Sequence, residues 1–249
     1  MKVKILFLTL LFIPAFLYAQ TTKDTLIVYP SEKFSAKQLI LPASLIAVGS
    51  WGINNGWFNK INNKIQNKMI DWRDNNYIHI DDYIQYLPVA SHLGLGLLGA
   101  QAKHSFKERL VITATSYLAM GIIVRSLKLA INEKRPDSEA HNSFPSGHTA
   151  TVFMGAELVR KEYGIGYGIG AYTIACGVAF LRLYNGRHWF NDVLAGAGIG
   201  IITAQLGYWL LPLNRKLFRL NKKNAPTIIA CPYYNPQQKT TGGAFALYF

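Results

Sequence analysis

The chain has 249 residues, of which 50% are hydrophobic and 16% are charged, and its formal net charge is +13. Soluble domains carry about 25% charged residues, so this composition disfavours an ordinary soluble domain and favours a compact helical bundle in a membrane. The basic residues stand at the ends of apolar segments, which is typical of membrane proteins near anionic lipid and argues against nucleic-acid binding. The two cysteines, Cys176 and Cys231, show neither metal-ligand spacing nor a disulfide framework.

Residues 1–19 are typical of a secretory signal peptide, with Lys2 and Lys4 before a short apolar stretch and Ala19 at the expected cleavage point. The alternative is an uncleaved N-terminal anchor helix. We expect cleavage, because the apolar stretch is short for a membrane span.

Two helices are predicted next. The segment 39–53 is apolar, short for a span and interrupted by Pro42, and it is either re-entrant, interfacial or spanning. Residues 59–80 predict an amphipathic helix that lies on the membrane or on the bundle. Its apolar residues at helical spacing are Ile61, Ile65, Met69 and Trp72. Asp81 and Asp82 are interpreted as a charge pair at a helix N-terminus rather than as metal ligands, since no third ligand lies nearby.

Residues 82–212 hold the longest apolar segments, and we assign them to one helical bundle after an N-terminal region, 20–81. The segments are 83–100, 110–131, 147–159, 164–183 and 189–211. The run Gly94–Gly99 has a formal GxGxxG pattern, but no strand precedes it, so close helix packing is the better interpretation. The same packing role is expected for the glycines at 164, 166, 168, 170, 196 and 200.

The end of the chain changes character. Residues 213–249 combine a basic stretch with a tail in which 227–230 and 244–249 predict two short strands. The fold class is therefore predicted to be all-α, a polytopic membrane helical bundle with a short C-terminal tail resembling a β-hairpin.

The stretch Pro145-Ser146-Gly147-His148 predicts an anion-binding helix N-terminus. Pro145 is expected at the first helical position, where a missing N–H costs no hydrogen bond. The backbone N–H groups of Ser146, Gly147 and His148 then face a bound anion. A hydroxyl and an imidazole at the same point favour phosphate chemistry, the alternative being a helix-starting turn with an incidental histidine.

Two further clusters stand at the ends of apolar segments. Lys128 and Arg135 are seven positions apart, which predicts one helix face near the membrane surface; interfacial snorkelling is the alternative. Arg182 precedes His188 and Asp192, which are four positions apart and hence neighbours on a helix turn. A carboxylate there can hold one imidazole nitrogen as N–H and free the other as a nucleophile.

Together, Lys128-x6-Arg135-Pro136, Pro145-Ser146-Gly147-His148 and Arg182-x5-His188-x3-Asp192 resemble the three signature motifs of the type 2 phosphatidic acid phosphatase (PAP2) superfamily. The resemblance extends over residues 82–212 and implies a six-helix core. One departure is Leu181, where the family usually has serine.

The resemblance implies a metal-independent phosphatase without a cofactor. His188 would attack phosphorus and form a phosphohistidine, with Asp192 as its support, and His148 would protonate the departing oxygen and then activate water. The phosphate oxygens would be bound by Lys128, Arg135, Arg182 and the backbone near Ser146 and Gly147.

The positive-inside rule predicts a multi-pass protein of the bacterial inner membrane with its active site facing the periplasm. The basic ends at 103–109, 160–161 and 215–223 would then be cytoplasmic. The expected partners are the bilayer and a phospholipid or glycolipid substrate; nothing in the sequence indicates a nucleic acid or an obligate protein partner.

The substrate candidates are lipid A, undecaprenyl diphosphate, phosphatidylglycerol phosphate and phosphatidic acid. The segment 80–88 resembles Bacteroidetes members of the superfamily, some of which act on lipid A, so lipid A is favoured. Alternatives from other classes are a vanadium-dependent haloperoxidase, a soluble periplasmic acid phosphatase and a non-catalytic lipid-binding protein.

Overall fold

The structure is a computed structural model that describes residues 34–53, 55–218, 220, 227–235 and 240–248. The signal peptide predicted over residues 1–19 lies outside the described residues. The helices are α1 (Lys37–Trp51), α2 (Gly56–Arg73), α3 (Asp81–Ile84), α4 (Leu87–Gly94), α5 (Phe106–Ile131), α6 (Gly147–Tyr163), α7 (Ile165–Tyr184), α8 (Phe190–Trp209) and α9 (Leu211–Leu217). The prediction of a helical bundle is confirmed for these residues.

Two antiparallel strands follow, β1 (Thr227–Asn235) and β2 (Thr240–Tyr248). Thr227 pairs with Tyr248 at one end of the ladder, and Asn235 pairs with Thr240 at the other. Both strands are longer than the segments 227–230 and 244–249 that the sequence indicated. Residues from Leu213 onward form a compact unit of their own.

Helix α8 is the centre of the bundle and packs against α1, α5 and α6, while α7 packs on the other side of α6. Glycines allow the close crossings. A Cβ atom on Gly196 would lie 2.6 Å from the carbonyl oxygen of Ser146 on the α6 side, and one on Gly198 would lie 2.6 Å from the carbonyl oxygen of Pro42 in α1. The packing role expected for Gly196 and Gly200 is confirmed, because both meet backbone atoms at the α6 side.

The prediction of a packing role is wrong for Gly166 and Gly170, because neither has a heavy atom within 4 Å of the position that a Cβ would take. Gly168 packs against the Arg160 side chain, and Gly164 ends α6 with a φ of +90°. These glycines lie near the start of α7, on a helix that makes its main contact with α6 alone.

Among the residues that the structure describes, α5 and α7 are long and apolar enough to cross a membrane, and α8 with α9 gives a third such segment if the two are counted together. Helix α1 has 15 residues and keeps Pro42 buried inside it, so it is about 22 Å long at 1.5 Å per residue. That length falls short of a bilayer core of about 30 Å.

The amphipathic helix is confirmed as α2, but it ends at Arg73, where Asp74 takes a left-handed conformation with φ of 42°. The buried face also differs from the predicted one. It consists of Phe58, Asn62, Gln66, Met69 and Arg73. Trp72 is exposed instead, because α2 covers a polar part of the bundle and needs polar partners there.

The predicted apolar segment 83–100 is not one helix. It divides into α3 and α4, and residues 95–105 lie outside the helices. The physical reason is the buried Arg109, whose Nη1 donates to the carbonyls of His92 and Leu93 at 2.9 Å each and so caps the end of α4. Gly96 is needed there, since its Cβ would lie 2.5 Å from the Arg109 guanidinium.

Candidate active site

The three motifs meet at one end of the bundle. The N-terminal ends of α6 and α8 meet where the Ser146 N–H donates to the carbonyl of Asp192. The C-terminal end of α5 joins them because Lys128 binds carbonyls of the loop 132–146, and that of α7 because Arg182 and His148 both contact Asp82. Lys128 is in the last turn of α5, His148 in the first turn of α6, Arg182 in the last turn of α7 and Asp192 in the first turn of α8. One end of the bundle therefore collects residues that are far apart in sequence.

His188 and Asp192 form a buried pair. His188 precedes α8, and its Nδ1 lies 3.4 Å from Oδ2 of Asp192. The same Oδ2 accepts hydrogen bonds from the backbone N–H of Trp189 at 2.8 Å and from Oγ of Ser143 at 2.5 Å. The carboxylate thus also caps the α8 N-terminus, where negative charge is favoured. With Nδ1 facing Asp192, Nε2 of His188 is free for chemistry.

Burial fixes the charge state of this imidazole. His188 is 2% exposed, and this burial lowers its pKa to about 4, with Lys128 and Arg182 acting in the same direction and Asp192 opposing them. His188 is therefore neutral at physiological pH. A neutral imidazole has the lone pair that a nucleophile needs.

The start of α6 differs from the prediction in detail. The helix begins at Gly147, with Ser146 as its N-cap, so Pro145 does not occupy the first helical position. The Ser146 hydroxyl bonds to the backbone N–H of Thr149, and the Ser146 N–H donates to the carbonyl of Asp192 at 3.1 Å. These two bonds leave Gly147 and His148 as the first-turn N–H donors at this end.

The predicted shared helix face of Lys128 and Arg135 was wrong. Helix α5 ends at Ile131 because Asn132 adopts a left-handed conformation with φ of 51°, which asparagine tolerates better than most residues. Arg135 lies in the following loop, where its Nε donates to Oδ1 of Asn142 at 2.7 Å. Lys128 binds the same loop, because its Nζ donates hydrogen bonds to the carbonyls of Asn142 and Ser143.

The cationic side chains nevertheless lie close to one another. Partial burial lowers the pKa of Arg135, and the nearby Arg182 and Arg187 act in the same direction while Asp137 opposes them. Clustered positive charges of this kind repel one another unless an anion lies among them. A phosphate group fits that requirement.

Arg182 is held by residues that the sequence analysis assigned no role at the site. The guanidinium Nη1 lies 2.6 Å from Oδ2 of Asp81, and both side chains are almost fully buried. Asp81 Oδ1 is 3.4 Å from Nδ2 of Asn185. Asp82, the neighbouring residue, places Oδ1 2.9 Å from Nε2 of His148 and 3.3 Å from Arg182 Nη1. The helix N-terminal interpretation of this pair holds for α3, but both carboxylates also bind motif residues.

A second carboxyl group lies beside Asp192. Nδ2 of Asn191 is 3.4 Å from Oε1 of Glu133 and 3.4 Å from Oδ1 of Asp192. Burial, followed by the neighbouring Asp192 carboxylate, raises the pKa of Glu133 to about 9. The Asn191 side chain is itself fixed by Nδ2 of Asn62 on α2, which donates to Asn191 Oδ1 at 2.9 Å.

These supporting residues were missed because their roles are tertiary. Ser143 and Glu133 reach the site from the loop 132–146 and Asn191 from the first turn of α8, and none of them carries a spacing signal of its own. The aspartate pair had a signal, since it lies in the segment 80–88, which resembles members of the superfamily from one bacterial group. Among the described residues, no group of three or more His, Cys, Asp or Glu side chains is arranged to bind a metal ion.

Part of this chain is similar to known proteins. The PAP2 superfamily model matches residues 109–216. A lipid A 1-phosphatase of Porphyromonas gingivalis is 39% identical over 54% of this chain and 31% of that protein. A lipid A 1-phosphatase of Rhizobium johnstonii is 30% identical over 40% of this chain and 52% of that protein. The chain thus spans about a third of the first relative's length and about half of the second's.

Among solved structures, the crystal structure of a transmembrane PAP2 type phosphatidylglycerolphosphate phosphatase from Bacillus subtilis is similar at a TM-score of 0.48 and 21% identity. The similarity covers 74% of this chain and 99% of that chain.

Proposed function

We propose that the chain, whose residues 109–216 match the PAP2 superfamily model, is a metal-independent lipid phosphatase of the bacterial inner membrane. The observation that carries the proposal is the buried His188–Asp192 pair among cationic side chains at one end of the bundle. The buried carboxylate fixes the nucleophile, and the cations supply the charge that a metal would otherwise provide. No resident cofactor is needed for the reaction described here.

In the first step, Nε2 of His188 attacks phosphorus and a P–N bond forms. The P–O bond to the lipid breaks, its electron pair stays on the lipid oxygen, and His148 donates a proton to that oxygen. Asp192 stabilises the positive charge that develops on the His188 ring, because its carboxylate faces Nδ1 at 3.4 Å. The product of this step is a phosphohistidine and a free lipid hydroxyl.

In the second step, neutral His148 takes a proton from water as the water oxygen attacks phosphorus. The P–N bond breaks, its electron pair returns to His188, and inorganic phosphate leaves. His148 is again protonated, so one residue serves as acid and then as base.

Lys128, Arg135 and Arg182 bind the equatorial phosphate oxygens in both steps. Their mutual proximity is fixed before substrate arrives, because the 132–146 loop holds Lys128 and Arg135, and Asp81 holds Arg182. Preorganised charge of this kind stabilises the transition state without reorganisation, and one such group is worth about 10²–10³ in kcat.

Lipid A is the favoured substrate, with cleavage of its phosphate at the periplasmic membrane surface. The support is the lipid A 1-phosphatase activity named for both relatives. The periplasmic orientation is supported by the charge distribution: the motifs lie at the end of the bundle opposite to Arg109, Arg160 and Lys161.

The test is phosphate release by the detergent-purified full chain over four lipids: lipid A, undecaprenyl diphosphate, phosphatidylglycerol phosphate and phosphatidic acid. We expect turnover of lipid A without added metal, insensitive to chelator, and loss of turnover in His188→Ala. Turnover of another lipid alone would replace the substrate and keep the mechanism. Release by folded His188→Ala at the wild-type rate would overturn the proposal.

A further inference from the structure

The short helix α3 brings two adjacent carboxylates into the site; the proposed mechanism uses Asp81 to hold Arg182 and gives Asp82 no role. We propose that Asp82 is a positioning residue for His148, holding the Nε2–H of its imidazole so that Nδ1 is the nitrogen that gives and takes the proton. The inference rests on the proposed function, because it assigns a partner to the acid of that reaction.

The two aspartates are placed for different tasks. Asp81 is fully buried, and its two oxygens face Arg182 and Asn185 at 2.6 Å and 3.4 Å. Asp82 is about half exposed, with 48% of its side chain accessible, and its Oδ1 faces His148 Nε2 at 2.9 Å. Asp81 therefore fixes the phosphate-binding arginine, while Asp82 contacts the imidazole directly at the open side of the site.

The contact determines which tautomer His148 adopts. A carboxylate accepts a hydrogen bond and cannot donate one, so the Nε2 that faces Asp82 carries hydrogen in both charge states of the ring. In the imidazolium form, Nδ1–H is the proton given to the leaving oxygen. In the neutral form, Nδ1 has the lone pair that accepts a proton from water. Asp82 accepts the hydrogen bond throughout, and the mechanism transfers no proton to it.

The arrangement is complementary to that of His188. There, a carboxylate faces Nδ1 and frees Nε2 for attack on phosphorus; at His148, a carboxylate faces Nε2 and frees Nδ1. Asp192 is buried, whereas Asp82 is screened by solvent, so the contribution of Asp82 is the smaller of the two.

The charged groups that face His148 are Asp81 and Asp82 from α3 and Arg182 from α7. Arg182 disfavours the imidazolium, and the two aspartates favour it. Asp82 makes the direct hydrogen bond, so replacing it with asparagine removes a negative charge that offsets the effect of Arg182 on the imidazolium. The acid form of His148 then becomes scarcer at neutral pH, and the step that needs an acid becomes slower.

The test compares one lipid with two leaving groups. With lipid A 1-monophosphate the leaving group is a sugar oxygen, which needs a proton as the P–O bond breaks. With lipid A 1-diphosphate, attacked at its outer phosphorus, the leaving group is the phosphate that stays on the lipid, a far weaker base. The variant is Asp82→Asn in the full chain. Its control is Asp71→Asn, an exposed aspartate on α2 outside the site.

For Asp82→Asn we expect kcat/KM to fall about tenfold on the monophosphate and less than about threefold on the diphosphate. The tenfold loss is a part of the rate enhancement of about 10²–10⁴ that general acid catalysis provides. The alkaline limb of the pH profile for the monophosphate moves to lower pH, and Asp82→Glu restores part of the activity. Asp71→Asn changes neither quantity.

An Asp82→Asn variant that keeps wild-type rates and an unmoved alkaline limb overturns this inference alone, and so does an equal loss on both forms. If the wild-type protein releases phosphate from neither form faster than His188→Ala does, the proposed function is overturned as well. Thermal unfolding in the same detergent shows whether each variant is folded.

Discussion

Arg182 and Asp81 form a buried ion pair in which Nη1 lies 2.6 Å from Oδ2, with 6% and 0% of the two side chains exposed. The pair joins the last turn of α7 to α3, so it links the end of the bundle that holds the three motifs to the segment before α4. A charge buried this deeply needs its partner, because the remaining ion cannot be hydrated.

Replacing Asp81 with alanine is therefore expected to destabilise the fold by about 3 kcal/mol, since it leaves the buried Arg182 guanidinium with the half-exposed Asp82 carboxylate at 3.3 Å and without its buried partner. Thermal or denaturant unfolding in detergent measures the loss. The control is Glu139→Gln, which removes a fully exposed pair with Lys134 and should leave the unfolding midpoint unchanged. Equal midpoints for Asp81→Ala and the wild type would contradict the account.

Ser143 provides a second test, because its hydroxyl donates to Asp192 Oδ2 at 2.5 Å. Ser143→Ala removes one of the two donors to that oxygen, so the carboxylate is less well oriented toward His188. We expect kcat to fall about tenfold with little change in KM, since a hydrogen bond to a charged group is worth about 1.5–3 kcal/mol and part of it is lost. Ser91→Ala is the matched control: the Ser91 hydroxyl bonds the helix carbonyl of Leu87, away from the site.

The charge state of His188 can be observed directly. Its pKa is lowered to about 4 by burial, from an ordinary value of about 6.5. The imidazole resonance that disappears in His188→Ala should therefore stay in its neutral position from pH 8 down to about 5 and shift only below that. Asp192→Asn should lower the titration midpoint further, because the carboxylate favours the imidazolium. A midpoint at or above 6.5 in the wild type would show that the ring is charged when the reaction begins.

The titration of Glu133 makes the free energy of unfolding fall as the pH rises. Burial and Asp192 raise its pKa from an ordinary value near 4.5 to about 9 in the folded protein. Between these two pH values the folded state therefore binds a proton that the unfolded state has lost. The resulting contribution to the free energy of unfolding is fully present below about pH 4.5 and is lost as the pH rises through about 9.

Glu133→Gln retains the neutral form at every pH. The difference in unfolding midpoint between this variant and the wild type should grow in favour of the variant from pH 5 to pH 9 and then level off. Lys128, Arg135, His188 and Asp192 are present in both proteins, so their titration largely cancels in the comparison. A difference that is flat with pH would place an ordinary, ionised carboxylate at Glu133.

The crossing of α1 and α8 depends on Gly198, whose Cβ would lie 2.6 Å from the carbonyl oxygen of Pro42. Gly198→Leu should separate the two helices and destabilise the protein by about 1–3 kcal/mol or more through overpacking. Gly170→Leu, on α7, has open space at the corresponding position and should be tolerated. Similar unfolding midpoints for the two leucine variants would argue against the packed position of α1.

The sequence predicted α5 to α8 because long apolar segments are a local signal, and the motif spacing selected residues that the structure brings to one end of the bundle. It did not predict the position of Arg135, since the helix it was assigned to stops at a left-handed Asn132. The buried face of α2 was also wrong: Asn62 is buried because it meets Asn191, a partner 129 residues away. Polar partners of this kind carry no periodicity, so they become visible once the helices are assembled.

The most direct test of the mechanism is to capture the phosphohistidine. Lipid A labelled with ³²P at its 1-phosphate is mixed with the full chain and quenched in alkali within one turnover. The account predicts label on the protein that survives alkali, is lost in acid and maps to the peptide containing His188. No label should appear on His188→Ala, and label should persist longer on His148→Ala, because the water step is slowed. Phosphate release at the full rate with no labelled protein at any time would contradict transfer to His188.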